Sequence, residues 1–220
     1  MHEAVPARIN EANLAKISST LIENNIEFCV FFGTLLGVHR NDSVIPKDDD
    51  IDFLIHRDQF NDVIRVMELL ESEGYSQTQY FKHRCFCQYK KKFWNFDWLF
   101  FRRVLRRIAS FLVSKRYKQD QLSQDSFVDF YFYEEKEDVL IEKWNFRGRP
   151  DDIENHMHIP KNLIYPIQNL NLNGIDIKVP ASILDTCVFL YGPRFMEPLR
   201  KYVDYRVTIK GNKPFVEYLT

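Results

Sequence analysis

Apolar residues recur at helical spacing in two long segments of the chain. They fall three or four positions apart over residues 8–25 and again over residues 58–73, so each segment presents one apolar side to a core. This spacing predicts a helix over each segment, the second capped by Asp58. A third helix is expected from Pro180 to about residue 191, because proline suits the first helical position.

Shorter apolar segments separate these helices and predict strands. Two of them flank Asn173-Gly174, which is a strong hairpin signal. The order of helix, strand, helix and further strands indicates a mixed α/β (α+β) domain, with one small sheet flanked by helices. The predicted strands are residues 28–32, 51–55, 75–81, 85–89, 127–133, 139–144, 170–172 and 175–179.

The entrance to the 51–55 strand carries four aspartates, at positions 48, 49, 50 and 52. Alternate side chains of a strand share a face, so Asp48, Asp50 and Asp52 are expected on one side, with neighbours about 6.6 Å apart. Carboxylates on one face repel each other unless a cation neutralises them, and Mg²⁺ or Mn²⁺ prefers such oxygen ligands. The alternative is a solvated acidic turn that leads into an edge strand.

A small turn or short helix between the 28–32 strand and the acidic run offers phosphate-binding groups. The backbone N–H groups of Gly33 and Thr34 open this segment, and a helix start attracts anions. Arg40 follows, and a guanidinium matches phosphate bidentately. Pairing of Arg40 with Asp42 or with a strand carboxylate stays open as the alternative.

Length and composition indicate one compact domain. The chain has 220 residues, of which 45% are hydrophobic and 15% aromatic, with only 7 glycines. No stretch reaches the ~18 uncharged apolar residues that a transmembrane helix needs, and the N-terminus lacks the apolar core of a signal peptide. Four cysteines do not make a disulfide framework at this size, so a reducing, cytoplasmic setting is expected.

The charge is distributed unevenly, although its net value is −1. Residues 82–118 hold twelve Lys or Arg and one acid, which makes this segment +11 and the rest of the chain −12. Such asymmetry predicts an anionic partner. Residues 102–118 read either as an interfacial membrane helix at the inner face of a membrane or as an ordinary amphipathic helix packed on the core. Nucleic acid is not an expected partner, since no recognition motif is present.

Two longer motifs resemble the LicD/fukutin family, which belongs to the nucleotidyltransferase superfamily that includes DNA polymerase β. The first motif is Phe32-Gly-Thr-Leu-Leu-Gly-Val-His-Arg40 followed by Val44-Ile-Pro-Lys-Asp-Asp-Asp-Ile-Asp52. The second, Phe127-Val-Asp-Phe-Tyr-Phe-Tyr-Glu134, resembles the third acidic strand of the family. Leu190-Tyr-Gly-Pro-Arg-Phe-Met-Glu-Pro198 adds a likeness to its C-terminal Tyr-Gly motif.

The resemblance spans most of the chain, with residues 90–125 matched least. It implies a nucleotidyltransferase (DNA polymerase β-like) fold in a single domain over residues 1–220, with a basic helical insertion around residues 102–118. It also implies roles for four carboxylates. Asp50, Asp52 and Asp129 would be the catalytic metal ligands, supported by Asp48.

Asp129 also stands out by its own chemistry, because it is an acid within an apolar, aromatic strand, where an unpaired charge is costly. Asp97, in the equally apolar 93–101 segment, is the rival for the third carboxylate. For either residue, a salt bridge or a helix cap is the alternative.

Two further features stay open in the sequence. Lys47 stands where the family usually has Trp, and it either contacts a phosphate or points to solvent. His83, Cys85 and Cys87 alternate along one predicted strand and would place three zinc ligands on one face. Buried thiols beside a surface histidine are the simpler interpretation, since no fourth ligand is evident nearby.

The resemblance implies a metal-dependent phosphotransferase. The donor would be a CDP-activated small alcohol, from which a phosphocholine, ribitol phosphate or glycerol phosphate group is transferred, and CMP would be released. The acceptor would be a hydroxyl of a glycan or of a lipid-linked glycan. Two alternatives stay open: a nucleotidyltransferase that attacks the α-phosphate of an NTP, and a non-catalytic nucleotide-binding or glycan-binding scaffold of the same fold.

Overall fold

The computed structural model describes residues 7–46, 48, 50–81, 84–89, 126–143, 156–201 and 203–219. Predictions for Lys47, His83, Asp97 and the basic segment 102–118 lie outside the described residues. The helices are α1 Ala7–Glu23, α2 Phe32–Asn41, α3 Phe60–Glu71, α4 Lys161–Ile164 and α5 Ile183–Tyr191. The strands are β1 Phe28–Val30, β2 Asp50–His56, β3 Tyr75–Phe81, β4 Arg84–Tyr89, β5 Ser126–Lys136, β6 Val139–Glu142, β7 Met157–Pro160, β8 Gln168–Leu172, β9 Ile175–Val179, β10 Tyr205–Lys210 and β11 Lys213–Tyr218.

A seven-stranded mixed sheet forms the centre of the fold. Its main path runs β1-β2-β5-β4-β3, and β6 and β7 extend it from the second half of β5. The pair β2–β5 is parallel and the other pairs are antiparallel. Two separate hairpins, β8–β9 and β10–β11, complete the described strands. The mixed α/β fold with a small sheet and flanking helices agrees with the prediction.

The two faces of the sheet are chemically different because side chains alternate along each strand. Among the side chains that the structure describes, one face is mostly apolar and packs against the buried sides of α1 and α3, with residues such as Phe53 and Phe130 at its centre. The other face is apolar near β6, β7 and α5 but carries Asp52 and Asp129 in the middle of the sheet. The functional site therefore lies on this second face.

Most local predictions are confirmed, with shifts at the element ends. Of the tight turn or short helix expected after Gly33, the structure has a helix, α2, which runs from Phe32 to Asn41. Asp58 does not cap α3, so that prediction is wrong: it lies in a 3-10 turn, Arg57–Gln59, and its own N–H donates to His56 Nδ1. The third helix begins at Ile183 rather than at Pro180. Among the described helices, none is long and apolar enough to cross a bilayer.

Candidate active site

Three carboxylates from two parallel strands converge on one face of the sheet. Asp50 and Asp52 lie on β2, and Asp129 lies on β5 directly opposite Asp52 in the strand register. One oxygen from each of the three falls within 4.8 Å of the others. The alternation expected for the acidic run is therefore confirmed for Asp50 and Asp52, and the parallel pairing adds Asp129 to the same cluster.

Burial makes this cluster electrostatically demanding. Asp52 is 4% exposed and Asp129 is 3% exposed. Burial raises the pKa of Asp52 well above its usual range, and the charges of Asp129 and Asp48 raise it further. Arg84 and the N–H of Gly33 act in the opposite direction. The site is thus a place where a cation would lower the free energy of the folded chain.

The start of α2 holds Asp52 through three hydrogen bonds. The N–H of Gly33 donates to Asp52 Oδ2 at 3.0 Å, and the N–H of Phe31 donates to the Asp52 carbonyl at 3.0 Å. The N–H of Asp52 in turn donates to Thr34 Oγ1 at 2.8 Å. Thr34 is buried, so its hydroxyl anchors β2 to α2. The geometry places Gly33 and Thr34 at the carboxylates, and their contact with a phosphate stays a prediction.

Phe32 bends the chain sharply between β1 and α2. Its φ is +37°, which is rare for a bulky aromatic residue and costs about 1–3 kcal/mol. Its ring lies 4.7 Å from that of Phe31 and 4.9 Å, edge to face, from that of Tyr131 on β5. These aromatic contacts offset part of the strain. The bend aims the N-terminus of α2 at Asp52.

The two glycines of the Gly-Thr-Leu-Leu-Gly run have different roles. A Cβ on Gly33 would lie 3.0 Å from Asp48 Oδ2 and 3.5 Å from Asp52 Oδ2, so this glycine makes room for the carboxylates. A Cβ on Gly37 would lie 2.7 Å from the Ser43 carbonyl oxygen and 2.8 Å from the Ile45 nitrogen. Gly37 therefore lets α2 pack directly against the backbone that leads into the acidic run.

Asp48 lies beside the cluster, just before β2. Its side chain reaches Gly33, and its charge acts on Asp52. The group with oxygens within 4.8 Å does not include it, so the role of Asp48 as a supporting ligand stays a prediction. Its carbonyl accepts a hydrogen bond of 2.8 Å from Asn10 Nδ2, and the hydroxyl of Ser126 donates to Asn10 Oδ1. Asn10 on α1 thereby joins the entrances of β2 and β5.

Arg84 is a site residue that the sequence reasoning missed. It begins β4, forms an ion pair with Asp129, and lies over the ring of Tyr131 at 5.1 Å. The Tyr131 hydroxyl donates to Asp129 Oδ2 at 3.4 Å. In the sequence Arg84 is one of twelve basic residues in the 82–118 segment, and only its pairing with β5 distinguishes it from the others.

Arg40 lies at the far end of α2 from the carboxylates. It is eight residues beyond Phe32, which corresponds to about 12 Å along the helix. Its Nη1 donates to the Glu197 carbonyl at 3.3 Å, and its Nε donates to Asn41 Oδ1 at 3.2 Å. The alternative, a pairing of Arg40 with Asp42 or a strand carboxylate, is not among these contacts. Its role as a phosphate ligand stays a prediction.

The Tyr-Gly motif at the end of α5 approaches the same cluster. Loss of hydration raises the pKa of the Tyr191 hydroxyl well above its usual range, and the negative charges of Asp52 and Asp48 contribute to the shift. Gly192 has φ +76°, and a Cβ there would lie 3.0 Å from the hydroxyl of Tyr218 on β11. The β10–β11 hairpin, which was not predicted, therefore supports this motif.

The three ligand oxygens suit a hard divalent cation. Octahedral Mg²⁺ holds its ligands at about 2.1 Å, which places adjacent oxygens about 3 Å apart and opposite ones about 4.2 Å apart. The three carboxylate oxygens, which lie within 4.8 Å of one another, would have to move closer together to reach that spacing. The donors are all carboxylate oxygens, which favours Mg²⁺ or Mn²⁺ over softer metals. Cys85 and Cys87 are fully buried in the apolar core, so their positions do not support a zinc site on this strand.

The comparison with known families assigns the chain. The family model described as LicD/FKTN/FKRP, nucleotidyltransferase domain, matches residues 25–182, which is more than half of the chain. The fold is therefore that of a nucleotidyltransferase-type domain. The chain belongs to the LicD/FKTN/FKRP family. Asn10 and the Tyr-Gly motif lie outside the matched range.

Other similarities are more limited. "Uncharacterized protein RP689" of Rickettsia prowazekii (strain Madrid E) is 37% identical over 57 residues, which cover 26% of this chain and 21% of that protein. The lincosamide antibiotic adenylyltransferase LnuA, bound to lincomycin, is 12% identical with a TM-score of 0.47, covering 80% of this chain and 81% of its own. An antigenic nucleotidyltransferase-like protein from Paracoccidioides brasiliensis is 14% identical with a TM-score of 0.41, covering 80% and 62%.

Proposed function

We propose that the protein is a metal-dependent phosphotransferase of the LicD type. It would move a phospho-alcohol, such as phosphocholine, ribitol phosphate or glycerol phosphate, from a CDP-activated donor to a hydroxyl of a glycan or lipid-linked glycan. CMP would be the second product. The observation that carries the proposal is the convergence of Asp50, Asp52 and Asp129, within 4.8 Å of one another, beside the N-terminus of α2.

The three carboxylates fit a divalent cation, because it prefers oxygen ligands. Asp50, Asp52 and Asp129 would hold Mg²⁺ or Mn²⁺, with Asp48 in support. When bound, the cation offsets the negative charge that develops on the phosphates during transfer. Phosphoryl transfer depends chiefly on such charge stabilisation and on positioning, and both need ligands that do not move. The three hydrogen bonds that hold Asp52 supply that rigidity.

The chain's own groups would orient the donor at the helix start. Gly33 and Thr34 open α2, whose N-terminal end is electropositive and attracts phosphate. Lys47 and Arg40 remain proposed phosphate ligands. The proton of the acceptor hydroxyl would pass to a carboxylate, with Asp129 as the candidate.

The site of action would be cytoplasmic, with the 102–118 segment meeting the inner face of a membrane. A lipid-linked acceptor would suit that placement, because the segment has seven basic residues and no acid. Binding to vesicles with and without anionic lipid tests this part separately from the chemistry. A chain that binds both equally would contradict it.

The reaction is tested by product analysis. The chain is incubated with Mn²⁺ and, in parallel, with CDP-linked alcohols, GDP-linked donors and NTPs, together with a glycan acceptor. Release of CMP with a phosphodiester-linked alcohol on the glycan is the expected result. Pyrophosphate with a nucleotidylated product would instead establish nucleotidyl transfer. Absence of metal-dependent nucleotide binding would favour a scaffold.

A further inference from the structure

Arg84 lies on the same face of the sheet as the carboxylates. In the antiparallel pairing of β4 with β5, it is opposite Tyr131, and Phe86 is opposite Asp129. Its guanidinium is paired with Asp129 Oδ2 and lies 5.1 Å from the Tyr131 ring centroid and 5.5 Å from that of Phe86. A carboxylate and two aromatic rings therefore fix the position of the guanidinium.

We infer that Arg84 binds a phosphate of the diphosphate donor, next to the metal ligands. The inference rests on the proposed function, since it assumes a substrate with a diphosphate. Its first support is charge. Asp50, Asp52 and Asp129 with one divalent cation leave a net charge of −1, which repels an anionic donor. Arg84 brings that net charge to zero, and Asp48 makes the need for a cation greater.

The second support is access. The side chain of Arg84 is 24% exposed, whereas that of its partner Asp129 is 4% exposed. The guanidinium is therefore more accessible to a phosphate than the carboxylate that it pairs with. A guanidinium carries five N–H donors in a rigid plane, so it can contact a carboxylate along one edge and a phosphate along another.

The third support is the position of the rival arginine. Arg40 lies at the other end of α2, on the Glu197 carbonyl. Arg84, in contrast, acts electrostatically on Asp52 as well as on Asp129. Because its guanidinium contacts Asp129, Arg84 is well placed to meet a phosphate bound beside the three carboxylates.

Arg84→Gln and Arg84→Lys test the inference in the full chain. Arg57→Gln is the matched control: Arg57 also lies over aromatic rings, 4.4 Å from Phe60, but on the apolar face of the sheet. Three quantities are measured for each variant. They are Mn²⁺ affinity by electron paramagnetic resonance, affinity for CDP in saturating Mn²⁺, and affinity for inorganic pyrophosphate in saturating Mn²⁺, the last two by calorimetry.

Arg84→Gln should bind Mn²⁺ as tightly as the wild type or more tightly, because a competing cation on Asp129 is gone. It should bind both CDP and pyrophosphate at least ~10-fold more weakly, since a charge-assisted bidentate contact is worth about 1.5–3 kcal/mol. The affinities of Arg84→Lys for CDP and pyrophosphate should lie between those of the wild type and Arg84→Gln. Lysine keeps the positive charge but lacks the planar guanidinium that makes two parallel hydrogen bonds. Arg57→Gln should match the wild type in all three measurements.

Equal pyrophosphate affinity in Arg84→Gln and the wild type would overturn the inference. So would a loss confined to Mn²⁺ affinity, which would make Arg84 a positioning residue for Asp129. If Arg84→Gln does not fold, the result for Arg84→Lys decides, with wild-type pyrophosphate affinity counting against the inference. A wild type that binds pyrophosphate but not CDP would contradict the proposed donor alone and leave the Arg84 contact supported.

Discussion

Asp52 and Asp129 are direct register partners on parallel strands, and both are almost completely buried. Two carboxylates in that relationship raise the free energy of the metal-free fold, because each is poorly hydrated and faces the charge of the other. The ion pair with Arg84 stabilises the charge of Asp129, and the hydrogen bond from the N–H of Gly33 stabilises that of Asp52. Binding of a divalent cation should therefore stabilise the protein by an amount that can be measured.

Asp52→Asn should raise the melting temperature of the metal-free protein and abolish its stabilisation by Mn²⁺. The amide removes a buried charge, yet its oxygen can still accept from the N–H of Gly33. Asp129→Asn should also abolish the Mn²⁺ effect, but it should lower the metal-free stability by about 3 kcal/mol, because the largely buried Arg84 loses its partner. Thermal unfolding with EDTA and with Mn²⁺ measures both effects.

Without metal, Asp52→Asn should be more stable than the wild type and Asp129→Asn less stable, and this opposition serves as an internal control. If both variants are destabilised equally while Mn²⁺ still stabilises each of them, the carboxylates have only a structural role. Transfer activity should be lost in both variants and in Asp50→Asn.

The pH dependence of the metal-free stability should carry the signature of Asp52. Its pKa is raised in the folded state above the ordinary value of 3.8, so the folded chain binds a proton more readily than the unfolded one. The resulting stability is fully present below pH 3.8 and is lost as pH rises through the raised folded pKa. Urea unfolding in EDTA should show the wild type losing stability relative to Asp52→Asn over that window.

At neutral pH, Mn²⁺ should restore the unfolding free energy that the wild type loses when Asp52 ionises. A difference between wild type and Asp52→Asn that stays constant with pH would show that Asp52 ionises normally in the folded chain.

Gly33→Ala should mainly reduce Mn²⁺ affinity, whereas Gly37→Ala should mainly reduce stability. At Gly33 the added methyl group meets the end of the Asp48 side chain at 3.0 Å, which can move, so Mn²⁺ affinity should fall several-fold with little change in stability. At Gly37 it meets backbone atoms of residues 43–45, which cannot, so stability should fall by about 1–3 kcal/mol or more. Calorimetry of Mn²⁺ binding and thermal unfolding separate the two. Equal loss of stability in both would contradict the distinction.

Asn10→Ala should weaken Mn²⁺ binding even though Asn10 touches none of the three ligands. Its amide joins the Asp48 carbonyl to Ser126, so its loss frees the entrances of β2 and β5 to shift. Asn13, one turn further along α1, is the matched control: it is similarly buried but accepts from the Tyr75 hydroxyl at 2.8 Å. Each alanine variant should cost about 1–3 kcal/mol of stability.

Only Asn10→Ala should also reduce Mn²⁺ affinity, as measured by electron paramagnetic resonance. A parallel reduction in Asn13→Ala would mean that general loosening of α1, and not the Asn10 contact, controls the site.

The thiols should be inert in the native protein. Burial raises the pKa of Cys85 and Cys87 far above the usual range and that of Cys187 to about 12. A thiol reagent at pH 8 should therefore modify them only after denaturation, since the thiolate is the reactive form. Rapid native modification that Zn²⁺ prevents would revive the zinc alternative.

Local sequence patterns predicted the secondary structure well where a single periodicity dominates. The helix expected over residues 8–25 is observed as Ala7–Glu23, and the hairpin around Asn173-Gly174 is observed with the expected strands. The Asp58 cap failed because His56, two residues earlier, accepts the Asp58 N–H and starts a 3-10 turn instead. Such competition between neighbouring side chains is decided by backbone geometry, which the residue types alone do not specify.

The sequence by itself determined the family, the acidic strand and the alternation that puts Asp50 and Asp52 on one face, because these depend on neighbours along the chain. The tertiary structure decided that Asp129 lies opposite Asp52 and that Arg84 contacts Asp129. The physical reason is strand pairing. The register of β2, β5 and β4 is set by packing across the whole sheet, and a shift of one residue would turn each of these side chains to the other face.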